Sequence, residues 1–141
     1  MKYNNILVAY DGSETSKIAI ERAKAIAAQN EQAQVNVVYV IEFPAPMYEG
    51  YNYQNLMELN QVQAERTLKE AEELVKDLNN EKQFVILRGH VSTSVLDYAE
   101  EKNSDLILIG SRGLGGIQRF FLGSVSFHVV QKAKCDVLVV K

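Results

Sequence analysis

Residues 105–126 read DLILIGSRGLGGIQRFFLGSVS. The apolar run Asp105–Ile109 predicts a buried strand, and a helix is predicted to begin near Phe120 or Ser124. Four glycines fall within the seven residues 110–116, directly after this strand. Because glycine has no Cβ, the backbone there can turn tightly and approach a ligand closely. The stretch therefore predicts either an anion-binding loop or a glycine-rich surface turn.

The loop carries groups that suit phosphate. Backbone N–H groups at the start of a helix have no intrahelical partner and lie at the positive end of its dipole. Arg112 and Arg119 add positive charge, and Ser111, Ser124 and Ser126 add hydroxyl donors. These groups favour the anion-binding interpretation.

Two commoner phosphate loops are excluded by the spacing. No G-x-x-x-x-G-K-[ST] occurs in the sequence, so a P-loop nucleotidase is not supported. No G-x-G-x-x-G occurs either, because the third glycine after Gly113 and Gly115 would have to stand where the chain has Gln118. A dinucleotide fold of the dehydrogenase kind is therefore disfavoured.

Length and composition narrow the function classes. The chain has 141 residues, which predicts a single domain over residues 1–141, and a formal net charge of −3, which disfavours nucleic acid and anionic membranes as partners. Cys135, the one cysteine, excludes an intramolecular disulfide and is typical of a reducing compartment. Because no 18-residue apolar run and no signal-peptide pattern occur, we expect a cytoplasmic protein that does not span a membrane.

Short apolar runs alternate with helical patterns along the chain. Strands are predicted at Ile6–Tyr10, Val35–Ile41, Gln83–Leu87, Asp105–Ile109 and Asp136–Lys141. Helices are predicted from Ser13 or Thr15 to about Asn30, from the loop 42–51 to Asn79–Asn80, from Ser92 or Thr93 to about Asn103, and to about Ala133. The first helix is expected to bury one face, made of Ile18, Ala19, Ala23, Ile26 and Ala27.

This alternation predicts a doubly wound α/β domain. Nearly continuous apolar strands are typical of parallel sheets, and right-handed crossovers place helices on both faces. Ligands of such sheets bind beyond the carboxyl ends of the strands, where the strand order reverses. With the order 3-2-1-4-5, that point lies between strands 1 and 4, and the turn Ala9–Ser13 would face the loop at Gly110.

The pattern Gly110-x2-Gly113-x9-Gly123-Ser124, with Asp11 after the first strand, resembles the universal stress protein family. The resemblance covers essentially the whole chain, including the terminal strand. It implies a five-stranded parallel sheet in the order 3-2-1-4-5 and a homodimer, which the exposed last strand, residues 136–141, would also favour. The glycine signature implies the subgroup that binds ATP, with Mg²⁺ as the accompanying ion.

The resemblance also implies which residues form the site. Ala9 and Asp11 would lie beside the adenine and ribose, and Val40 would meet the adenine. The ribose and phosphates would be surrounded by Gly110, Arg112, Gly113, Gly123, Ser124, Val125 and Ser126. From the residues alone, Asp11 stays open between a turn or cap residue and a ligand of the ribose or a metal ion.

Other candidate residues have plainer interpretations. His90 and His128 are interpreted as isolated surface histidines, and Cys135 as a packing residue. The tyrosines of the loop after the second strand are either a lid over the base or ordinary loop aromatics. They are Tyr48, Tyr51 and Tyr53. No CxxC, HExxH or paired-ligand spacing supports a structural metal.

The resulting prediction is an ATP-binding stress-response or signalling module with little or no turnover. Fast phosphoryl transfer needs a metal clamp and a group that orients the nucleophile, and Asp11 is the one obvious carboxylate near the loop. A slow ATPase, a nucleotide-free dimerisation module and a flavin-binding domain of similar layout are the alternatives. ATP, ADP and cyclic AMP stay open as the resident nucleotide.

Overall fold

The computed structural model describes residues 2–42, 53–112 and 123–141. Its strands are β1 (Asn5–Ala9), β2 (Gln34–Ile41), β3 (Glu81–Arg88), β4 (Leu106–Gly110) and β5 (Asp136–Val140). Its helices are α1 (Glu14–Ala27), α2 (Tyr53–Leu74), α3 (Val91–Glu101) and α4 (Ser124–Lys132). Strands and helices alternate as the sequence predicts.

The five strands form one parallel sheet in the order β3-β2-β1-β4-β5. The predicted fold class and strand order are confirmed. In the central pair, Ile6 lies opposite Leu106 and Val8 opposite Leu108, so the carboxyl ends of β1 and β4 meet at one edge of the sheet. The loops that follow these two strands therefore start side by side.

Successive residues of the central strands point to opposite faces of the sheet, so their side chains pack into two separate hydrophobic cores. Ile6 and Val8 face α1 and α2, where they pack with Ile20 and Leu68, whereas Leu7 belongs to the other face. That second core lies beneath α3 and α4 and contains Leu7, Val38, Val95, Tyr98, Ala99, Ile107, Ile109 and Val129. Because the central strands are covered on both faces, they are apolar at nearly every position.

The predicted buried face of α1 is wrong at one position. Ile18 is 38% exposed, whereas Ile20 is fully buried and Ser16 is 2% exposed. The observed face follows 16, 19, 20, 23 and 27, which keeps the 3.6-residue period. Ser13 is the N-cap, as expected, and its side chain accepts a hydrogen bond from the Ser16 N–H at 3.3 Å.

The predicted end of the second helix is also wrong. α2 ends at Leu74, and the chain turns before it reaches Asn80. Asn80 is buried, and its side-chain amide donates to the carbonyl oxygens of Ala27, Asn30 and Ala33 at 3.1, 2.8 and 3.0 Å. It therefore ties β3 to the α1–β2 connection.

Two other boundaries differ from the prediction by one or two residues. β4 begins at Leu106, and the carboxylate of Asp105 just before it accepts hydrogen bonds from the N–H groups of Asn4 and Asn5 at 2.8 and 2.9 Å. α3 begins at Val91, one residue before the predicted start, with His90 as N-cap and no side-chain cap. In the part of the chain that the structure describes, no helix is long and apolar enough to cross a membrane.

Candidate functional site

The first turn of α1, which directly follows the β1–α1 turn, contacts the loop after β4 at the carboxyl edge of the sheet. The Thr15 hydroxyl donates a hydrogen bond to the carbonyl oxygen of Arg112 at 2.7 Å. The start of α4 joins the same place, since the Gly123 N–H donates to the Ser111 carbonyl oxygen at 2.7 Å. Three segments that are distant in sequence thus converge where the topology predicts a ligand site.

Gly110 is required by this contact. A Cβ at position 110 would lie 2.3 Å from the Thr15 Oγ1 and 2.9 Å from the Thr15 Cβ. A side chain there would push α1 away from β4. Position 110 therefore requires glycine because α1 packs closely against β4 there, in addition to any approach of a ligand.

Gly123 is similarly confined. A Cβ there would lie 3.0 Å from the Ser111 carbonyl oxygen, which already accepts the Gly123 N–H. Gly113, the second glycine of the signature, lies outside the described residues, as do Arg119 and the glycines at 115 and 116. Their predicted contacts with phosphate stay predictions.

Asp11 is part of a tightly bonded turn. Its Oδ1 accepts the Ser13 N–H at 2.9 Å, and its own N–H donates to the Ser16 hydroxyl at 3.4 Å. Gly12, between Asp11 and Ser13, has φ +86°, a backbone conformation that residues with a side chain rarely adopt. The turn role that the sequence left open is thus observed, and Asp11 is half-buried at the edge of the site.

The carboxylate of Asp11 also acts on neighbouring phenols. Burial, together with smaller contributions from charge repulsion by Glu70, Asp11 and Glu14, raises the pKa of Tyr10 to about 12. Burial raises the pKa of Tyr39 above its ordinary value, and Asp11 contributes. Both phenols therefore stay neutral at physiological pH beside the negative turn.

The first turn of α4 offers backbone donors. Gly123 is its N-cap and makes no side-chain cap hydrogen bond, so the N–H groups of Ser124, Val125 and Ser126 are those that an α-helix leaves without an intrahelical partner. The Ser124 side chain is exposed. Such a terminus attracts anions through its N–H groups and its dipole.

The hydroxyl of Ser126 has another role than the expected one. It is buried and donates to the carbonyl oxygens of Ser111 and Gly123 at 2.9 and 3.1 Å. In this arrangement the hydroxyl holds the start of α4 against the β4 loop. The sequence alone suggested a donor to phosphate.

Three apolar residues predicted for the site pack against one core. Ala9 at the end of β1 and Val40 near the end of β2 were expected beside the adenine, and Val125 in α4 beside the ribose and phosphates. All three are half-buried against the core beneath α3 and α4. The structure therefore places these predicted residues of β1, β2 and α4 on the same face of the sheet.

The interpretation of His128 as an isolated residue is wrong. Its Nδ1 lies 2.7 Å from the Ser92 hydroxyl, and both side chains are half-buried between α3 and α4. The two residues are 36 positions apart, so no local pattern indicates the pair. His90 is exposed.

Cys135 packs against the core beneath α3 and α4, in agreement with its predicted role. Burial raises the pKa of its thiol, as do the nearby carboxylates of Asp136 and Asp105. Over residues 2–42, 53–112 and 123–141, no group of three or more His, Cys, Asp or Glu side chains is placed to hold a metal ion. The tyrosines proposed as a lid fall outside the residues whose side chains are described.

A family model agrees with this architecture over nearly the full length. The model of the universal stress protein family matches residues 2–141. The chain belongs to the universal stress protein family. The resemblance inferred from the glycine signature is therefore confirmed.

Named relatives support the family assignment. A universal stress protein of Methanocaldococcus jannaschii is 32% identical over 142 residues, which cover 99% of this chain and 82% of the relative. A relative from Staphylococcus aureus strain USA300 that carries the same family name is 37% identical over 145 residues, which cover 99% of this chain and 84% of the relative.

Solved structures of universal stress proteins share the fold. UspA from Lactobacillus plantarum superposes with a TM-score of 0.88 at 26% identity, covering 100% of this chain and 99% of its own. A universal stress protein solved in complex with cAMP superposes with a TM-score of 0.72 at 29% identity, covering 100% of this chain and 98% of its own. Adenine nucleotide binding thus occurs among similar members of the family.

Proposed function

We propose that this universal stress protein binds ATP, with Mg²⁺, at the carboxyl edge between β1 and β4. It would act as a nucleotide-dependent stress-response or signalling module with little turnover. The observation that carries the proposal is the hydrogen bond from Thr15 to the Arg112 carbonyl oxygen, which joins the Asp11 turn to the glycine loop. The cAMP complex of a relative supports an adenine nucleotide as the ligand class.

The adenine and ribose would lie on the side of β1 and β2. Ala9 and Val40 offer half-buried apolar surface against which a flat base would pack. The Asp11 carboxylate stands at the edge of this surface, where it can accept hydrogen bonds from sugar hydroxyls. Its bond to the Ser13 N–H holds it in place.

The phosphates would lie at the start of α4. The helix has nine residues, its N-cap is Gly123, and its first-turn N–H groups and dipole favour negative charge. Arg112 is half-buried on the adjoining loop and adds a guanidinium, the group best suited to phosphate oxygens. Gly110 and Gly113 complete the predicted phosphate surface.

Mg²⁺ would arrive with the nucleotide. The described residues hold no prearranged set of three or more metal-ligating side chains. Mg²⁺ is commonly held by substrate phosphates, several waters and one or two carboxylates. Asp11 is the carboxylate that the site offers for that purpose.

Binding is favoured over turnover by the chemistry of the site. Phosphoryl transfer requires a group that orients the attacking water in line with the leaving group. In the structure, Asp11 accepts a turn hydrogen bond from Ser13, a role that keeps its carboxylate in one position. A slow ATPase is the alternative, and phosphate release from ATP would distinguish it.

The test of the ligand is the content of the purified protein. Small molecules released by denaturation are analysed by mass spectrometry, with Gly123→Val purified in parallel as the site-blocked control. We expect one adenine nucleotide per chain from the wild type and much less from the variant. A flavin, or equal amounts of nucleotide from both proteins, would contradict the proposal.

We further infer a homodimer through β5 and the face of α4 beside it. β5 is an edge strand, and no charged residue lies between Asp136 and Lys141. The opposite edge strand, β3, carries charges at Glu81, Lys82 and Arg88, which discourage pairing. A two-fold axis would pair two β5 edges antiparallel and satisfy both.

Exposed apolar side chains on α4 support the same surface. Phe127 is 56% exposed and Val130 45% exposed, and their spacing of three residues places them on one side of the helix. Burial of such side chains by a partner is favourable in proportion to the area removed from water. Strand pairing and apolar burial would thus act together.

A cytoplasmic location belongs to the same proposal. Cys135 is half-buried, and burial raises the pKa of its thiol, which makes it less reactive. An unpaired structural thiol is compatible with a reducing compartment. Cell fractionation with an antibody against the protein would test the location.

A further inference from the structure

A serine and a histidine on neighbouring helices form a hydrogen-bonded pair that the nucleotide site does not use. The Ser92 Oγ on α3 lies 2.7 Å from the His128 Nδ1 on α4. At this distance an imidazole can take the proton of a serine hydroxyl, which is how serine nucleophiles are activated. The pair therefore holds a nucleophile and a base within hydrogen-bonding reach of each other.

Ser92 lies just after a turn between a strand and a helix. β3 ends at Arg88 and α3 begins at Val91. Between them, the Gly89 N–H donates to the Ile41 carbonyl oxygen at 3.0 Å and fixes the turn to the end of β2. The nucleophilic serines of α/β hydrolases stand at a strand-to-helix turn of this kind. The local fold thus holds the Ser92 hydroxyl in a position that suits a nucleophile.

The backbone at the start of α3 can stabilise negative charge beside this hydroxyl. His90 is the N-cap and makes no side-chain cap hydrogen bond. The N–H groups of Val91, Ser92 and Thr93 are those that an α-helix leaves without an intrahelical partner. Because helical side chains lean towards the N-terminus, the Ser92 Oγ is directed towards the end that carries these donors. Such donors stabilise the oxyanion that forms when a hydroxyl attacks a carbonyl group.

The surroundings of the pair limit its substrates. Ser92 and His128 are half-buried, whereas His90 and Thr93 next to Ser92 are exposed, so a small molecule can reach the pair from solvent. Over residues 2–42, 53–112 and 123–141, no carboxylate is bonded to His128. Without the third group that orients the base in a catalytic triad, the pair suits esters with a good leaving group.

We propose that Ser92 and His128 form an acyl-transfer site for small activated esters such as aryl acetates. The Ser92 Oγ attacks the carbonyl carbon, His128 Nδ1 takes the hydroxyl proton, and the bond to the aryl oxygen breaks as that oxygen receives the proton. Water then attacks the acetyl-serine with the same imidazole as base, which releases acetic acid and restores the hydroxyl. One ester and one water thus give one acid and one phenol, and no nucleotide takes part.

The probe is 4-nitrophenyl acetate, added to full-length protein that has been freed of nucleotide. We expect an early release of about one equivalent of 4-nitrophenol per chain, followed by slower turnover, as the acyl-enzyme forms and hydrolyses. Peptide mass spectrometry should place the acetyl group on Ser92. Thr93 and Ser94, in the same turn of α3, are the internal controls and should stay unmodified.

His128→Asn separates catalysis from packing. The asparagine amide can take the place of Nδ1 and pair with the Ser92 hydroxyl, but it cannot accept a proton. Acetylation of Ser92 should therefore slow about 100-fold, the lower end of what a general base contributes, while the melting temperature stays close to that of the wild type. His90→Gln changes the other histidine of the chain, which is exposed and makes no cap hydrogen bond, and should react as the wild type does.

Three results would overturn the proposal. The first is acetylation of lysines with none on Ser92. The second is a His128→Asn variant whose Ser92 is acetylated as fast as that of the wild type. The third is a His90→Gln variant that slows the reaction at Ser92 as much as His128→Asn does.

Discussion

Thr15 and Arg112 are 97 positions apart in sequence, yet the Thr15 hydroxyl donates to the Arg112 carbonyl oxygen at 2.7 Å. Gly110 lies directly beneath this contact, since a Cβ there would come within 2.3 Å of the Thr15 Oγ1. One hydrogen bond therefore joins helix α1 to the β4 loop, and the absence of a side chain at position 110 allows the close approach that this bond needs. This contact holds the two halves of the candidate site together.

Thr15→Val should loosen the junction. It removes the hydroxyl, leaves the Arg112 carbonyl oxygen without this donor, and is expected to lower the free energy of unfolding by about 0.5–1.5 kcal/mol. ATP affinity should fall with it, because the two halves of the site are no longer held together. Thr93→Val, at an exposed position of α3, is the control in urea denaturation and calorimetry. Equal effects of the two substitutions would show that the Thr15 bond is unimportant.

Gly110→Ala should be more damaging. Its Cβ would overlap Thr15 Oγ1 and Cβ, and overpacking of this kind costs about 1–3 kcal/mol. Combined with Thr15→Ala, which removes the Oγ1, the loss should be partly restored. A double-mutant cycle by urea denaturation measures this coupling. Strictly additive losses would contradict the predicted overlap.

Two substitutions of Asp11 separate its role in the turn from its proposed role in ATP binding. Asp11→Ala removes the acceptor of the Ser13 N–H and should both destabilise the turn and weaken ATP binding, the latter by about 1–3 kcal/mol. Asp11→Asn keeps an acceptor oxygen and should preserve stability while still weakening ATP binding in calorimetry. If the alanine variant binds ATP as the wild type does, Asp11 acts in the turn alone.

Tyr10 offers a test based on pH. The fold raises the pKa of this phenol to about 12, so its contribution to stability is complete below pH 10 and is lost as the pH rises from about 10 to 12. Tyr10→Phe should reduce this alkaline loss. At pH 7 the variant should match the wild type in stability, since the Tyr10 hydroxyl has no partner among the described residues. A clear loss of stability at pH 7 in urea denaturation would indicate an unrecognised partner.

The proposed dimer should be separable into monomers by a substitution that leaves the sheet intact. The Val140 carbonyl oxygen accepts the Ser111 N–H at 2.7 Å and so faces β4, which places the N–H of the neighbouring Val139 on the open edge. Val139→Pro therefore removes a donor from the dimer edge, where proline is tolerated, and should give a folded monomer in sedimentation. Leu138→Pro would instead disrupt pairing with β4. A wild-type monomer at micromolar concentration would contradict the homodimer.

The helix face is tested separately. Val130→Glu places a charge in the proposed interface and should weaken the dimer strongly, as measured by sedimentation. Val62→Glu on α2 is matched in exposure, 51% against 45%, and should leave the dimer intact. Dissociation by both variants would point to a different interface.

The alternation of strands and helices and the two covered faces of the sheet could be predicted because they depend on local periodicity and on topological rules. The strand order was implied by the family resemblance. The contacts of Asn80 and of Thr15 could not, because their partners are distant in sequence. The same holds for the Ser92–His128 pair. For Gly110, the sequence indicated the need for a small residue, but the overlap with Thr15 emerges only from the packing of α1 against β4.

For the candidate site, the sequence predicts which segments of the chain come together. The glycine signature and the position of Asp11 indicate which loops meet, and the structure brings those loops together. The role of each polar atom depends on geometry that the sequence does not encode locally. Ser126 illustrates this, because its hydroxyl bonds to the Ser111 and Gly123 carbonyl oxygens inside the loop.

The central claim is that ATP binds the folded protein, and thermal unfolding of the wild type with and without ATP and Mg²⁺ tests it most directly. At 100 times its dissociation constant, ATP should stabilise the fold by about 2.7 kcal/mol. For a domain of this length, that raises the melting temperature by several degrees, at about 2–4 °C per kcal/mol. The Gly123→Val variant should show a much smaller shift. An unchanged melting temperature of the wild type at millimolar ATP with Mg²⁺ would contradict the account.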